Sequence, residues 1–307
     1  MKIAVPDLVS NSYFPAIAAV ALGFFEEEGL SLDLELIFPV DKAYRALRDG
    51  NIDLVGGSAH SVPAAFPEWE GARLLAALAQ GMYWFLVMRA DLNPQRNDLG
   101  IVKGRRIGAA PMVDLGIRRV LADSGIDIQR DDVTVMPIPG SAGPGVSFGV
   151  NAAKALEDGL IDGFWANGMG AEVAVKRGVG KIVLDVRRGD GPKAAFSYTM
   201  PVLVGTADLV AKRPKVAEGA VRAIVRTQKA LKEDVSRATD VGKRFFPPWE
   251  AELISAVVAR DLSFYDPAIS KESFDRIAVF AQQMGLSRGL PRYDDVVATQ
   301  FRPLWSS

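Results

Sequence analysis

The sequence contains no cysteine. That excludes disulfides, thiolate nucleophiles, iron–sulfur clusters and cysteine-ligated zinc together. It leaves the compartment open, because exported proteins also do without disulfides. His60 is the single histidine, so no site can gather several imidazoles around a metal. An excess of either charge is missing as well. The 36 basic and 37 acidic residues leave a net charge of −1, which argues against nucleic acid or an anionic membrane surface as a partner. Long hydrophobic runs are absent too. The apolar stretch Tyr13–Leu22 is ten residues, too short to span a bilayer, and it follows the polar "PDLVSNS" rather than a basic segment, unlike a secretory signal. The text opens directly on a strand, which fits either a cytoplasmic chain or one whose leader has been removed.

What is present is an ordinary globular composition, 49% hydrophobic and 24% charged, spread over 307 residues, and that length favours two domains over one core. "KIAVPDL" reads as a buried strand, with "SNS" (Ser10–Ser12) as a cap before an apolar helix from Tyr13 to Glu28. "SLDLELIF" alternates leucine with acid at period two, as a strand with one wet face does. A helix through Ala43–Arg48 and a strand "IDLVGGS" complete a βαβαβ unit, the order of a mostly parallel sheet covered by helices. Extended crossings follow around Leu75–Val87, and "RRIGAA" restarts the pattern: helix Leu115–Asp123, strand "VTVMPI", loop "PGSAGPG", helix Asn151–Leu156, strand "IDGFWANG", helix Ala171–Arg177 and strand "KIVLDV". After a second crossing, Phe196–Val204, the chain turns to helices over 214–234, 236–245, 250–260 and 270–284.

One phrase occurs twice. "ALRDGNID" begins at Ala46 and "ALEDGLID" at Ala155, with six of eight letters shared. In each copy a helix stops at aspartate–glycine and isoleucine starts a strand, so the repeat reads chiefly as duplicated architecture. In open α/β sheets ligands bind beyond the carboxyl ends of strands. The loops after each strand are therefore the ones to weigh.

Four phrases in order, "FPAIAAVALGFFEEEGLSLDLELI", "ALRDGNIDLVGGS", "VKGRRIGAAPMVDLGIRRVLADSGID" and "ALEDGLIDGFWANG", resemble the type 2 periplasmic binding proteins. Within these the chain is similar to the sulfonate, taurine, nitrate and pyrimidine-precursor binders called NMT1/THI5-like, over roughly residues 2–205. The resemblance implies an α/β fold of two lobes, each a mostly parallel sheet flanked by helices, joined by two hinge crossings. Lobe 1 is then expected at 1–84 and 203–307 and lobe 2 at 85–202. It also implies a small-molecule ligand in the interlobe cleft and an ABC permease as partner, with no cofactor, no metal and a monomeric chain. Related enzymes exist on the same scaffold. The pyrimidine synthase branch uses a cysteine-rich motif that this chain lacks, so a decarboxylase-like cytoplasmic reaction with His60 as proton donor is the enzymatic alternative. A ligand-sensing module is a second.

The candidate ligand residues fall in these loops. Ser10 and Asn11 could donate to a ligand or serve the following helix, and Tyr13 could cover a ligand or wedge into the core. In "GGSAHS" the glycines let a backbone approach a ligand, with Ser58 and His60 as side-chain donors; a lone histidine is as readily a satisfied structural residue. In "AAPMVDLG", Met112 and Asp114 stand where oxyanion-binding relatives carry glycine, serine or threonine. Asp114 would repel an anion there, or simply cap the helix. Trp165 and Asn167 resemble the family's cleft-lining positions, which implies an aromatic and an amide that stack on and orient a planar ligand. Lying two apart they share a strand face, while alternation sends one of Phe164 and Trp165 into the core. Tyr83 joins them from the first crossing, with Gln80, Trp84, Ser197 and Tyr198 as further crossing residues.

Overall fold

A computed structural model describes residues 1–141 and 147–306. Part of the expected loop "PGSAGPG", residues 142–145, lies outside the described residues. In chain order the first elements are β1 (Lys2–Val5), α1 (Phe14–Ala21), α2 (Phe24–Glu27), β2 (Asp33–Leu36), α3 (Val40–Arg48), β3 (Leu54–Ser58) and β4 (Ala72–Ala77). Next come β5 (Trp84–Arg89), β6 (Arg106–Ala109), α4 (Asp114–Asp123), β7 (Thr134–Met136), α5 (Phe148–Glu157), β8 (Gly163–Asn167), α6 (Gly168–Lys176) and β9 (Gly180–Asp185). The chain ends with β10 (Pro201–Thr206), α7 (Ala207–Lys212), α8 (Pro214–Glu233), α9 (Arg237–Phe245), α10 (Pro248–Asp261), α11 (Lys271–Gln283), α12 (Tyr293–Val296) and α13 (Arg302–Trp305). None of the described helices is long and apolar enough to cross a membrane.

The contacts divide the chain into two units. Unit 1 comprises residues 1–8, 12–81 and 197–307; unit 2 comprises 9–11 and 82–196. Unit 1 holds a five-stranded sheet in the order β2-β1-β3-β10-β4, and unit 2 one in the order β7-β6-β8-β5-β9. Each is the same design. Three successive strands pair in parallel, and a fourth runs against them: β10 beside β3 in unit 1, β5 beside β8 in unit 2. The reversed strand then pairs antiparallel with the sheet's last strand, through a register shift in both sheets. Helices cover the sheets, as expected of strands apolar on both faces such as β3 and β8, in which every residue is buried. In unit 1 the long helix α8 lays its alanine-rich face inward and ties its outer edge to α2, where Arg222 donates to Glu28 at 2.7 Å.

The duplicated phrase forms the same turn twice. Gly50 (φ 76°) ends α3 and Gly159 (φ 70°) ends α5, both in the left-handed region where a side chain is strained. Asn51 N then donates to Ala46 O at 2.9 Å, and Leu160 N to Ala155 O at 3.0 Å. Beyond each turn an aspartate holds the first residue of the neighbouring strand with two bonds. Asp53 N donates to Lys2 O (3.0 Å) while its Oδ2 accepts from Lys2 N (2.8 Å). Asp162 N donates to Arg106 O (2.8 Å) while its Oδ2 accepts from Arg106 N (2.9 Å). The repeat is a turn that also sets strand register.

Three expectations need correction. The helix expected over Tyr13–Glu28 is two, because Gly23 takes φ 78° and breaks it between α1 and α2. The cap before α1 is Tyr13, which makes no side-chain capping bond; "SNS" does not supply it. Asp114 is not a cap either: it is the first residue inside α4, and its carboxylate accepts from Arg118 Nε one turn on, at 2.9 Å. By contrast Ser270 caps α11, accepting from Ser273 N at 3.0 Å.

Candidate ligand-binding residues

In unit 1 the relevant edge is the carboxyl end of β3, where Ser58 faces Pro201 of β10 across the sheet. Backbone alone does not open this edge to a ligand. A methyl on Gly57 would lie 2.6 Å from Tyr44 Oη, and one on Gly56 would lie 3.2 Å from Ala16 Cβ, so both glycines make room for the unit's own side chains. Beyond them runs a chain of buried polar groups. Ser58 Oγ and Ser61 Oγ share a hydrogen bond at 2.6 Å, Ser61 Oγ lies 3.3 Å from His60 Nε2, and His60 Nδ1 lies 2.9 Å from Thr199 Oγ1. The Tyr44 hydroxyl donates to Ser58 O at 2.9 Å, and burial pushes that phenol well above its usual range, with Tyr13 adding to the shift, so it stays a donor. His60 is fully buried and meets Phe280 edge-on at 5.4 Å, while Tyr198 stacks on the same ring at 4.7 Å. Tyr13 is buried as well.

In unit 2 the carboxyl ends of β6, β8 and β9 and the amino end of the reversed β5 share one edge, since Ala109 faces Trp165, Trp84 faces Asn167 and Phe85 faces Asp185. Here most of the expected residues gather. Asn11 and Asn167 divide the amino end of α6: Asn11 Oδ1 accepts from Met169 N at 3.2 Å, and Asn167 Oδ1 accepts from Gly170 N at 3.0 Å. Two amide oxygens thus satisfy two of the first amides of one helix. Ser10 is buried beside Asn11, and Ser147 donates to Val9 O at 3.3 Å. Tyr83, Trp84 and Trp165 form a chain of rings, 4.9 Å from Tyr83 to Trp84 and 6.3 Å from Trp84 to Trp165. Glycine admits them to α4, because a methyl on Gly116 would sit 3.1 Å from both Trp165 Nε1 and the Trp84 ring.

Met112 and Asp114 lie elsewhere on the edge. Met112 adopts φ 71°, a strained conformation for a side chain of its size. Both line a cavity of about 250 Å³ with Pro111, Arg118 and Met136; none of Tyr83, Trp165 and Asn167 reaches it. The Asp114–Arg118 pair leaves the wall of that cavity close to neutral.

Of the buried charges that escaped the sequence reading, two stand just past strand ends. Asp7, just past β1, is 5% exposed, and Arg187, just past β9, is also 5% exposed with its guanidinium 5.8 Å over the Tyr83 ring. Both obey the strand-end rule, which was the available signal. Among the further crossing residues, Gln80 is structural, its amide donating to Asp266 O and Ala268 O.

The NMT1/THI5-like family model matches residues 10–238 of the chain. Among curated proteins none matches. Solved structures share the fold at low identity. The periplasmic nitrate-binding protein NrtA of Synechocystis PCC 6803 is 15% identical with a TM-score of 0.72, covering 99% of this chain and 87% of that one. The alkanesulfonate-binding protein SsuA of Xanthomonas axonopodis pv. citri, bound to MOPS, is 15% identical with a TM-score of 0.70, over 98% and 96% of the two chains. The desulfurization enzyme DszB is 16% identical with a TM-score of 0.63, over 98% and 97%.

Proposed function

Because the chain belongs to the NMT1/THI5-like family, we propose that it binds a small organic solute and serves an ABC importer as its substrate-binding component. The ligand on this reading has a planar or aromatic part and one polar end. The observation that carries this is the edge of unit 2, where Tyr83, Trp84 and Trp165 stand in line and Arg187 is buried beside the first of them. Rings in a row favour a flat apolar surface, and a buried guanidinium favours a polar group next to it. Asp114, paired with Arg118 in a cavity that the three rings do not reach, leaves the choice between neutral ligand and oxyanion to the ring edge itself. Ser10, Asn11, Asn167 and Met112 in unit 2, and Tyr13, Ser58 and His60 in unit 1, remain the proposed contributors.

A thermal-shift screen of aromatic acids, pyrimidines, alkylsulfonates and nitrate tests the reading. Stabilisation by the planar compounds is expected, growing with concentration as mass action requires. Stabilisation by alkylsulfonates or nitrate alone would defeat the assignment of ligand type. The decarboxylase-like alternative, with His60 as proton donor, predicts turnover of a carboxylate that His60→Ala abolishes. Tight binding without turnover in the unaltered protein removes it.

A further inference from the structure

Trp165 is fully buried, yet its indole Nε1 has no hydrogen-bond partner among the described residues. Buried indole N–H groups ordinarily find an acceptor; Trp69 Nε1 in unit 1 lacks one as well, so it is the position of Trp165 on the candidate edge that singles it out. The ring is held firmly enough that the donor cannot swing away. Its backbone pairs with Leu86 on one side and Ala109 on the other, Trp84 meets it edge-on, and the bare Gly116 of α4 lies against the nitrogen. None of these contacts accepts a hydrogen bond from the indole nitrogen. Position matters equally: the nitrogen belongs to a residue two short of the end of β8, on the edge where unit 2 gathers its other candidate residues.

We propose that the Trp165 N–H is a specificity donor, and that it receives an uncharged acceptor of the ligand, a carbonyl oxygen or a heteroaromatic ring nitrogen. The inference rests on the solute-binding reading above and deepens it by naming the ligand's chemistry at one atom. An indole offers one neutral donor, and its surroundings are a tryptophan ring, a glycine and apolar strand residues. A sulfonate or nitrate oxygen buried there would need several charge-assisted donors to replace its water, and one neutral N–H does not supply them. A carbonyl or ring nitrogen needs just one. Trp165 is thus assigned a hydrogen bond in addition to the ring surface it shares with Tyr83 and Trp84.

The test uses the full chain labelled with ¹⁵N at tryptophan, whose five indole N–H resonances are counted directly, with Trp165→Phe assigning the relevant one. The probes are benzamide, nicotinamide and cytosine against benzenesulfonate, hexanesulfonate and nitrate. The expected result is that at least one neutral compound binds and moves the Trp165 indole proton downfield, while the anions leave it in place. Trp165→Phe should then weaken that compound about tenfold or more in the folded protein, beyond whatever the smaller ring costs the fold. A purely structural role would lower the melting temperature and leave the affinity untouched. Binding of a neutral compound with a silent Trp165 resonance, or equal affinity in Trp165→Phe, overturns the inference alone. Binding by the anions alone overturns it together with the ligand type proposed above. Failure of all six compounds to bind overturns the solute-binding reading and this inference with it.

Discussion

At Gly57 a single missing methyl decides how β3 ends. The space a side chain would take is filled by the Tyr44 phenol, whose Oη and Cζ would lie 2.6 and 2.9 Å from an added Cβ. That phenol in turn donates to Ser58 O, so packing at one residue sets the carbonyl of the next. Gly57→Ala should therefore cost about 1–3 kcal/mol as an overpacked core, and Tyr44→Phe about 1 kcal/mol for the lost hydrogen bond. The two losses should not add, because Tyr44→Phe removes the atom nearest the new methyl; a coupling of about 0.5 kcal/mol or more is expected in urea unfolding of the four chains. Strictly additive midpoint shifts would contradict the packing argument. Residues of this kind were half legible in sequence. Ser58 and His60 could be picked out because they follow a strand into glycine. Their partners could not: Thr199 lies 139 residues from His60, and no periodicity or spacing carries that distance. Arg187 was missed for a related reason. An arginine beside a second arginine and a glycine reads as solvated surface, and only the strand arrangement of unit 2 buries it.

At the scale of elements, the duplicated turn was the most legible feature and still held something sequence did not disclose. Aspartate–glycine followed by isoleucine announces a helix stop and a strand start, but the second aspartate of each phrase acts across the sheet on a strand far away in sequence, Asp53 on Lys2 and Asp162 on Arg106. The misread helix at Gly23 shows the opposite limit. A glycine inside an apolar run is compatible with a continuous helix, and its φ of 78° is settled by how α1 and α2 pack. The strand lock makes a pH prediction. Arg106 donates to both carboxylate oxygens of Asp162, and these bonds, with the backbone N–H of Arg106, hold its carboxyl below the usual range. A carboxyl depressed in the folded state adds stability that is present above the unfolded value of about 3.9 and is lost as pH falls through the folded value. Because Arg106 is well exposed, screening by water keeps the contribution to about 1 kcal/mol. Asp162→Asn should then lower the melting temperature at pH 7, and the deficit should shrink steadily below about pH 4. A deficit that stays constant down to about pH 2.5 would mean that geometry rather than charge makes the lock.

The whole chain folds two copies of one sheet design from unequal stretches of sequence. Unit 2 draws all five strands of its sheet, β5 to β9, from residues 82–196. Unit 1 does not close so early. Its reversed strand β10 lies between β3 and β4, so β4 has no sheet neighbour until residues 201–206 exist. Further support for β4 arrives later still: Gln228 of α8 donates to the carbonyls of Ala77 and Leu78, Trp305 Nε1 donates to Leu75 O, and Val297 bridges Leu74. A strand without its pairing partner presents unsatisfied amides and apolar side chains, and such segments stay open to solvent and protease. We therefore expect a chain stopped at Phe196 to hold one folded unit and one unfolded one. Brief thermolysin digestion should leave a resistant fragment beginning near Met82, while residues 12–81 are cut at many points; in the full chain the same residues 12–81 should survive the same exposure. Circular dichroism of the truncated chain should show strand and helix in proportion to unit 2 alone. Protection of residues 12–81 in the truncated chain would mean that β1, β2 and β3 form a stable sheet without β10, and the dependence of unit 1 on its returning strand would be wrong.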